Sequence, residues 1–104
     1  DIMLLAYGSV ARSARVAIDR ARKKGLKVGL FRPVTLWPFP RRQVAEWAGR
    51  VKQILVPELN MGQIVAEVER VAGATPVTPL NKANGQPISP AEIEVALSRI
   101  VEDM

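Results

Sequence analysis

Three groupings in this sequence have residue types and spacing that could do chemistry. The first is Gly8-Ser9-Val10-Ala11-Arg12, a Gly-Ser turn with an arginine close behind. At a helix start, its backbone N–H groups and the Arg12 guanidinium suit a phosphate or a carboxylate. The plainer account is a glycine turn with Ser9 as an ordinary N-cap. The second is Glu58, followed by Asn60 and Gln63. Its carboxylate could serve as a base, or as a hydrogen-bond acceptor for a neighbouring domain. The plainer account has it satisfying the first N–H groups of the next helix. A lone Glu with no titrating neighbour is poor equipment for catalysis. The third is the loop Arg32-Pro33-Val34-Thr35-Leu36-Trp37-Pro38-Phe39-Pro40, which presents two aromatics beside Arg32, Arg41 and Arg42. A stiff, apolar loop with an arginine rim either packs down as a lid or serves as an interface anchor, and the anchor is favoured.

The chemistry that is missing matters as much. The 104 residues contain no Cys and no His. That removes thiolate nucleophiles, cysteine-held iron–sulfur clusters, and the side chain that most often serves as base or metal ligand near neutral pH. Neither GxGxxG nor GxxxxGK[ST] is present, so the dinucleotide and P-loop signatures are absent. No residue of this chain is therefore assigned a catalytic, cofactor-binding or metal-binding role.

Charge is divided along the chain. Residues 1–53 carry 12 Lys/Arg against Asp1, Asp19 and Glu46, a balance of +9. Residues 54–104 carry Arg70, Lys82 and Arg99 against seven acids, a balance of −4. A pI near 10.2 invites a nucleic-acid reading. The densest run, Arg20-Arg22-Lys23-Lys24-Lys27, lacks interleaved aromatics and falls where cations complement a helix C-terminus. It reads as a solvated helix end. No stretch approaches the roughly 18–20 apolar residues of a membrane span, and no signal peptide is evident. A cytoplasmic setting is expected. The first residue is Asp1 rather than Met, as expected of a piece of a longer subunit.

The elements that must position these groups alternate. Ile2–Tyr7 is an unbroken apolar run, as in a strand buried on both faces of a parallel sheet. Ser9 to about Lys24 is a helix with Ala11, Ala14, Ala17, Ile18 and Ala21 inward, stopped by Gly25. Lys27–Phe31 is a second strand. Pro40 opens a helix with Val44, Trp47, Ala48 and Val51 on one side. Gln53–Pro57 is a third strand, and the next helix turns Ile64, Val65, Val68 and Val71 inward. Thr75–Pro79 is a short edge strand punctuated by prolines. Ser89-Pro90-Ala91-Glu92 has the N-cap, N1 proline and N3 acid of a capping box, and opens a last helix built on Ile93, Leu97, Ile100 and Val101. The order βαβαβαβα predicts a three-layer α/β/α domain with a parallel four-stranded sheet. In such a sheet, ligands and partners favour the carboxyl ends of the strands where the winding reverses. The Gly8–Arg12 and Glu58–Gln63 segments meet there.

Taken in order, these segments resemble one family. Ala6-Tyr7-Gly8-Ser9-Val10-Ala11-Arg12-Ser13-Ala14 is similar to its YGS-x-xR-x-A turn. Arg32-Pro33 with Thr35-Leu36-Trp37-Pro38-Phe39-Pro40 is similar to its TLWPFP loop, and Val56-Pro57-Glu58-Leu59-Asn60-Met61-Gly62-Gln63 to its VPE-x-NxGQ turn. The family is the α subunit of the 2-oxoacid:ferredoxin oxidoreductases, specifically its transketolase C-terminal-like core domain II. The likeness spans almost all 104 residues. It implies one such domain over 1–104, with strand order 2-1-3-4. It also implies a parent complex that decarboxylates a 2-oxoacid oxidatively with coenzyme A and passes electrons to ferredoxin. That complex would use thiamine diphosphate, Mg and an iron–sulfur cluster held by other domains or subunits. In related domains a fifth, antiparallel strand precedes the first strand found here. Strand two is then left as an edge, expected to pair with a neighbouring chain or to be blunted by Lys27. The resemblance further implies an assembly role, with Trp37, Phe39, Glu58, Asn60 and Gln63 at the interface with other α-subunit domains and the β subunit. Gly8, Ser9 and Arg12 remain a possible anion site. The LWPFP and ELNMGQ segments lean toward the 2-oxoglutarate type, with branched-chain 2-oxoacids or pyruvate next. The competing expectation is a free-standing flavodoxin-like module that binds a small anion or nucleotide at the Gly8–Arg12 helix start.

Overall fold

The computed structural model describes residues 1–33, 39–58, 63–81 and 87–104. The elements run β1 (Ile2–Leu5), α1 (Gly8–Lys23), β2 (Val28–Phe31), α2 (Arg41–Ala48), β3 (Gln53–Glu58), α3 (Gln63–Val71), β4 (Val77–Asn81) and α4 (Pro90–Asp103). All strand pairs are parallel, and the sheet order is β2-β1-β3-β4, as the alternation and the resemblance predict. The chain winds from β1 out to β2, then back across β1 to β3. Right-handed crossovers therefore put α1 and α4 on one face and α2 and α3 on the other.

The alternation of side chains along β1 and β3 builds a core on each face. Ile2, Leu4, Ala6 and Leu55 meet Ala11, Ala14, Ala17, Ile18 and Ala21 of α1 and Ile93, Leu97 and Ile100 of α4. Met3, Leu5, Ile54 and Val56 meet Val44 and Ala48 of α2 and Ile64, Val65 and Val68 of α3. The alanines along α1 leave no bulk between helix and sheet, so that helix lies close to β2. Val71 is only partly buried, and Trp47 is 44% exposed. The expectation that Trp47 shares the inward side of α2 is corrected. That helix spans only eight residues and buries two of them, Val44 and Ala48.

Several boundaries also differ from expectation. Helix α1 begins at Gly8 with Tyr7 as its N-cap residue, so Ser9 lies inside the helix and makes no capping bond. Gly8 takes φ +60°, a left-handed conformation that allows β1 to turn directly into the helix. Pro40 occupies the N-cap of α2 rather than its first turn. Strand β4 starts at Val77 because Pro76 has no N–H to donate; its carbonyl accepts the Ile54 N–H at 3.0 Å, and the ladder runs on from Ile54–Val77 to Glu58–Asn81. At α4, the Ser89–Glu92 capping box forms in both directions, with Pro90 opening the helix.

The β2 edge is guarded by a cation, Arg22. The bonds Ile2 N–H to Lys27 O and Ala6 N–H to Phe31 O turn alternate β2 residues toward β1, leaving the polar groups of Val28 and Leu30 facing outward. Arg22 Nε donates to the outward Val28 carbonyl at 2.9 Å. Beside this edge lies a concavity of about 650 Å³ whose lining includes Leu26, Phe31, Trp47 and Val51.

Candidate functional site

The winding reverses between β1 and β3, so the carboxyl ends of those strands form the crevice of this fold. Tyr7, Gly8 and Ser9 leave β1 there, Glu58 ends β3, and Gln63 opens α3. Two of the groupings singled out in the sequence thus lie at one end of the sheet.

Glu58 is fully buried. Its Oε1 accepts the Val65 N–H at 3.0 Å and its Oε2 accepts the Ile64 N–H at 3.2 Å. Both donors lie in the first turn of α3, where backbone N–H groups have no intrahelical partner and the helix dipole favours a negative charge. Burial pushes the carboxyl pKa up from its ordinary value of 4.5, and the two backbone bonds oppose that rise without cancelling it. Both carboxylate oxygens are engaged inside the domain. Glu58 is thus a brace between β3 and α3, and its contribution to any interface is to fix the two ends of the 59–62 connection.

Phe39 is likewise turned inward, 7% exposed, in the core with Val44, Ile54 and Ile64. Its ring anchors the end of the Pro-rich segment, because an apolar ring gains more from the α2–α3 core than from water. Gln63 is exposed at the start of α3, and Ser9 and Arg12 are exposed on α1. Trp37 and Asn60 lie outside the described residues.

The residues do not fit the metal groups that the resemblance implies for the parent complex. The chain has no thiolate or imidazole to hold an iron–sulfur cluster. Among the described residues no group of three acids is placed to hold a metal ion.

A feature that pattern reading missed lies on the other helical layer. Glu67 is nearly buried within α3, bonded through Oε1 to Arg70 at 2.8 Å, with Oε2 4.0 Å from Arg41 of α2. Its position on the flank of the apolar stripe, between Ile64 and Val68, was the available signal.

Comparison with known proteins follows the same line as the fold. Residues 1–93 match the family model described as pyruvate:ferredoxin oxidoreductase core domain II. The chain belongs to that family. It is 39% identical over 94 residues to a 2-oxoglutarate synthase subunit KorA of Methanothermobacter marburgensis, covering 89% of this chain and 25% of the relative. It is 37% identical over 93 residues to a ketoisovalerate oxidoreductase subunit VorB of the same organism, covering 89% of this chain and 26% of the relative. Among solved structures, a 2-oxoglutarate:ferredoxin oxidoreductase from Magnetococcus marinus, with 2-oxoglutarate, coenzyme A and succinyl-CoA bound, matches with a TM-score of 0.85 and 28% identity. That match covers 95% of this chain and 17% of the other. The chain of this core domain II protein thus spans about a quarter of the length of the curated relatives it matches. These relatives are oxidoreductase subunits and lend no support to a free-standing flavodoxin-like module. No helix among the described residues is long and apolar enough to cross a membrane.

Proposed function

We propose that these 104 residues form a single core domain II within the α subunit of a cytoplasmic 2-oxoacid:ferredoxin oxidoreductase, and that its role there is assembly rather than chemistry. The parent complex would decarboxylate a 2-oxoacid oxidatively onto coenzyme A and deliver electrons to ferredoxin. Thiamine diphosphate, Mg and an iron–sulfur cluster would be carried by its other domains and subunits. We put 2-oxoglutarate first as the substrate, in line with the KorA relative and the 2-oxoglutarate enzyme of matching fold.

The observation that carries this reading is the committed state of Glu58. Among the described residues, the one buried carboxylate at the crevice accepts a helix N–H on each of its oxygens and is closed off from solvent. Its bonds hold the two ends of the 59–62 connection, and Phe39 seats the end of the Pro-rich segment in the same core as Ile64. These two segments, with Trp37, Asn60 and Gln63, are the patches through which the domain would touch the rest of the α subunit and the β subunit. The open β2 edge is a second place for the remainder of the protein to pair.

Calorimetric titration of the isolated domain with phosphate, coenzyme A and nucleotides tests the reading. Little or no heat is expected. Stoichiometric binding that is lost on Arg12→Ala would instead assign the Gly8–Arg12 turn to an anion.

A further inference from the structure

All four helices begin at the carboxyl end of the sheet, so their positive dipole ends face the same way. An acid in the first turn usually offsets such a start. Helices α1 and α2 have none, α3 has the buried Glu58 carboxylate on its first N–H groups, and α4 has Glu92, which serves its capping box. Helix α2 goes further and opens on Arg41-Arg42. Arg12 follows the start of α1, and Arg32 follows β2 directly. All four arginines are exposed.

Neutralisation from within the domain is slight. Arg41 comes only to 4.0 Å from Glu67 and is 70% exposed, a separation and wetness at which an ion pair contributes little. Arg12, Arg32 and Arg42 have no ion-pair partner among the described residues. By sequence, the connections at this end (6–9, 32–40, 59–62 and 82–89) contain no acid and add Lys82. Glu58 is fully buried.

The contrast with the opposite end is informative. Arg20, Arg22 and Lys23 occupy the last turn of α1, where cations stabilise their own helix. Arg41 and Arg42 weaken theirs. Residues that break a local rule without local compensation point to a role outside the domain.

We infer that the carboxyl-end face docks on an acidic protein surface of the parent assembly, with Arg12, Arg32, Arg41 and Arg42 meeting carboxylates there. The inference rests on the proposed reading of this end as an interface, and adds the chemistry of the partner.

The test uses the complete complex and the rate at which phenylglyoxal modifies Arg12 and Arg32, followed by peptide mass spectrometry. Both arginines should react slowly at low salt. Raising salt to about 0.5 M, or introducing Arg41→Glu/Arg42→Glu at low salt, should speed their modification about tenfold. The double variant should melt no lower than wild type, because acids at the start of α2 suit its dipole. Fast modification in the wild-type complex at low salt would overturn both the interface reading and the inference. Slow modification that ignores salt and charge reversal would leave the interface standing and overturn the acidic partner. Single-stranded RNA binding to the complex that is lost in Arg41→Glu/Arg42→Glu would assign the face to nucleic acid, and also overturn it.

Discussion

The Glu58 carboxylate and the Val65 backbone N–H are 3.0 Å apart in a fully buried site, joining the last residue of β3 to the first turn of α3. With the parallel bond to Ile64, this contact fixes where the connection after β3 starts and ends. Removing it leaves buried helix N–H groups unsatisfied. Glu58→Ala should cost about 3 kcal/mol or more, counting the lost bonds and the cavity, and Glu58→Gln about 1–3 kcal/mol because the amide can accept only one of the two bonds. Urea denaturation of the isolated domain measures both. A neutral Glu58→Ala would contradict the brace.

The same carboxyl makes stability depend on pH. Its pKa is raised in the folded state by desolvation, so the native domain holds this proton more tightly than the unfolded chain does. Stability from this group is therefore full below the ordinary value of 4.5 and declines as pH rises through the elevated folded value. Relative to Glu58→Gln, wild-type Tm should fall across that window and then level off. A difference that grows in the opposite direction would mean that the helix N–H groups outweigh burial.

Two serines in similar sequence settings should behave differently. Ser89 accepts the Glu92 N–H and caps α4, so Ser89→Ala should cost about 1 kcal/mol. Ser9 caps nothing, and Ser9→Ala should be near neutral. The turn there depends on Gly8 at φ +60° instead, and Gly8→Ala should cost about 1–2 kcal/mol even though a Cβ meets no atom within 4 Å. Thermal melts of the three variants check the ranking.

Arg22 should protect the isolated domain from self-association. Its guanidinium covers the outward Val28 carbonyl, leaving less of the β2 edge to template another strand. Arg22→Ala should raise the sedimenting mass with concentration while leaving the melt almost unchanged. A monomeric variant at every concentration would show that the edge needs no guard.

These outcomes also mark what the sequence could reveal. Apolar runs such as Ile2–Leu5 and the capping box at Ser89–Glu92 act through neighbouring residues, so strands and helices were legible, while the sheet order came with the family resemblance. Ser9 misled because a Ser before a helical pattern looks the same whether or not a glycine at positive φ has already begun the helix. Trp47 was misplaced because a two-turn helix carries too little periodicity to say which face turns inward. Glu58 was visible as a residue of interest, but its role depended on where the α3 N–H groups would point. The arginines were countable from the start. Their meaning needed the fold, which places Arg12, Arg32, Arg41 and Arg42 at the end of the sheet where the helices begin.

The assembly role is tested most directly in the full complex carrying Trp37→Ala or Asn60→Ala, with subunit association followed by sedimentation and turnover measured on the 2-oxoacid. The account predicts weakened association and a matching loss of turnover, with no change in the secondary structure of the α subunit. Intact assembly and unchanged turnover in both variants would contradict it.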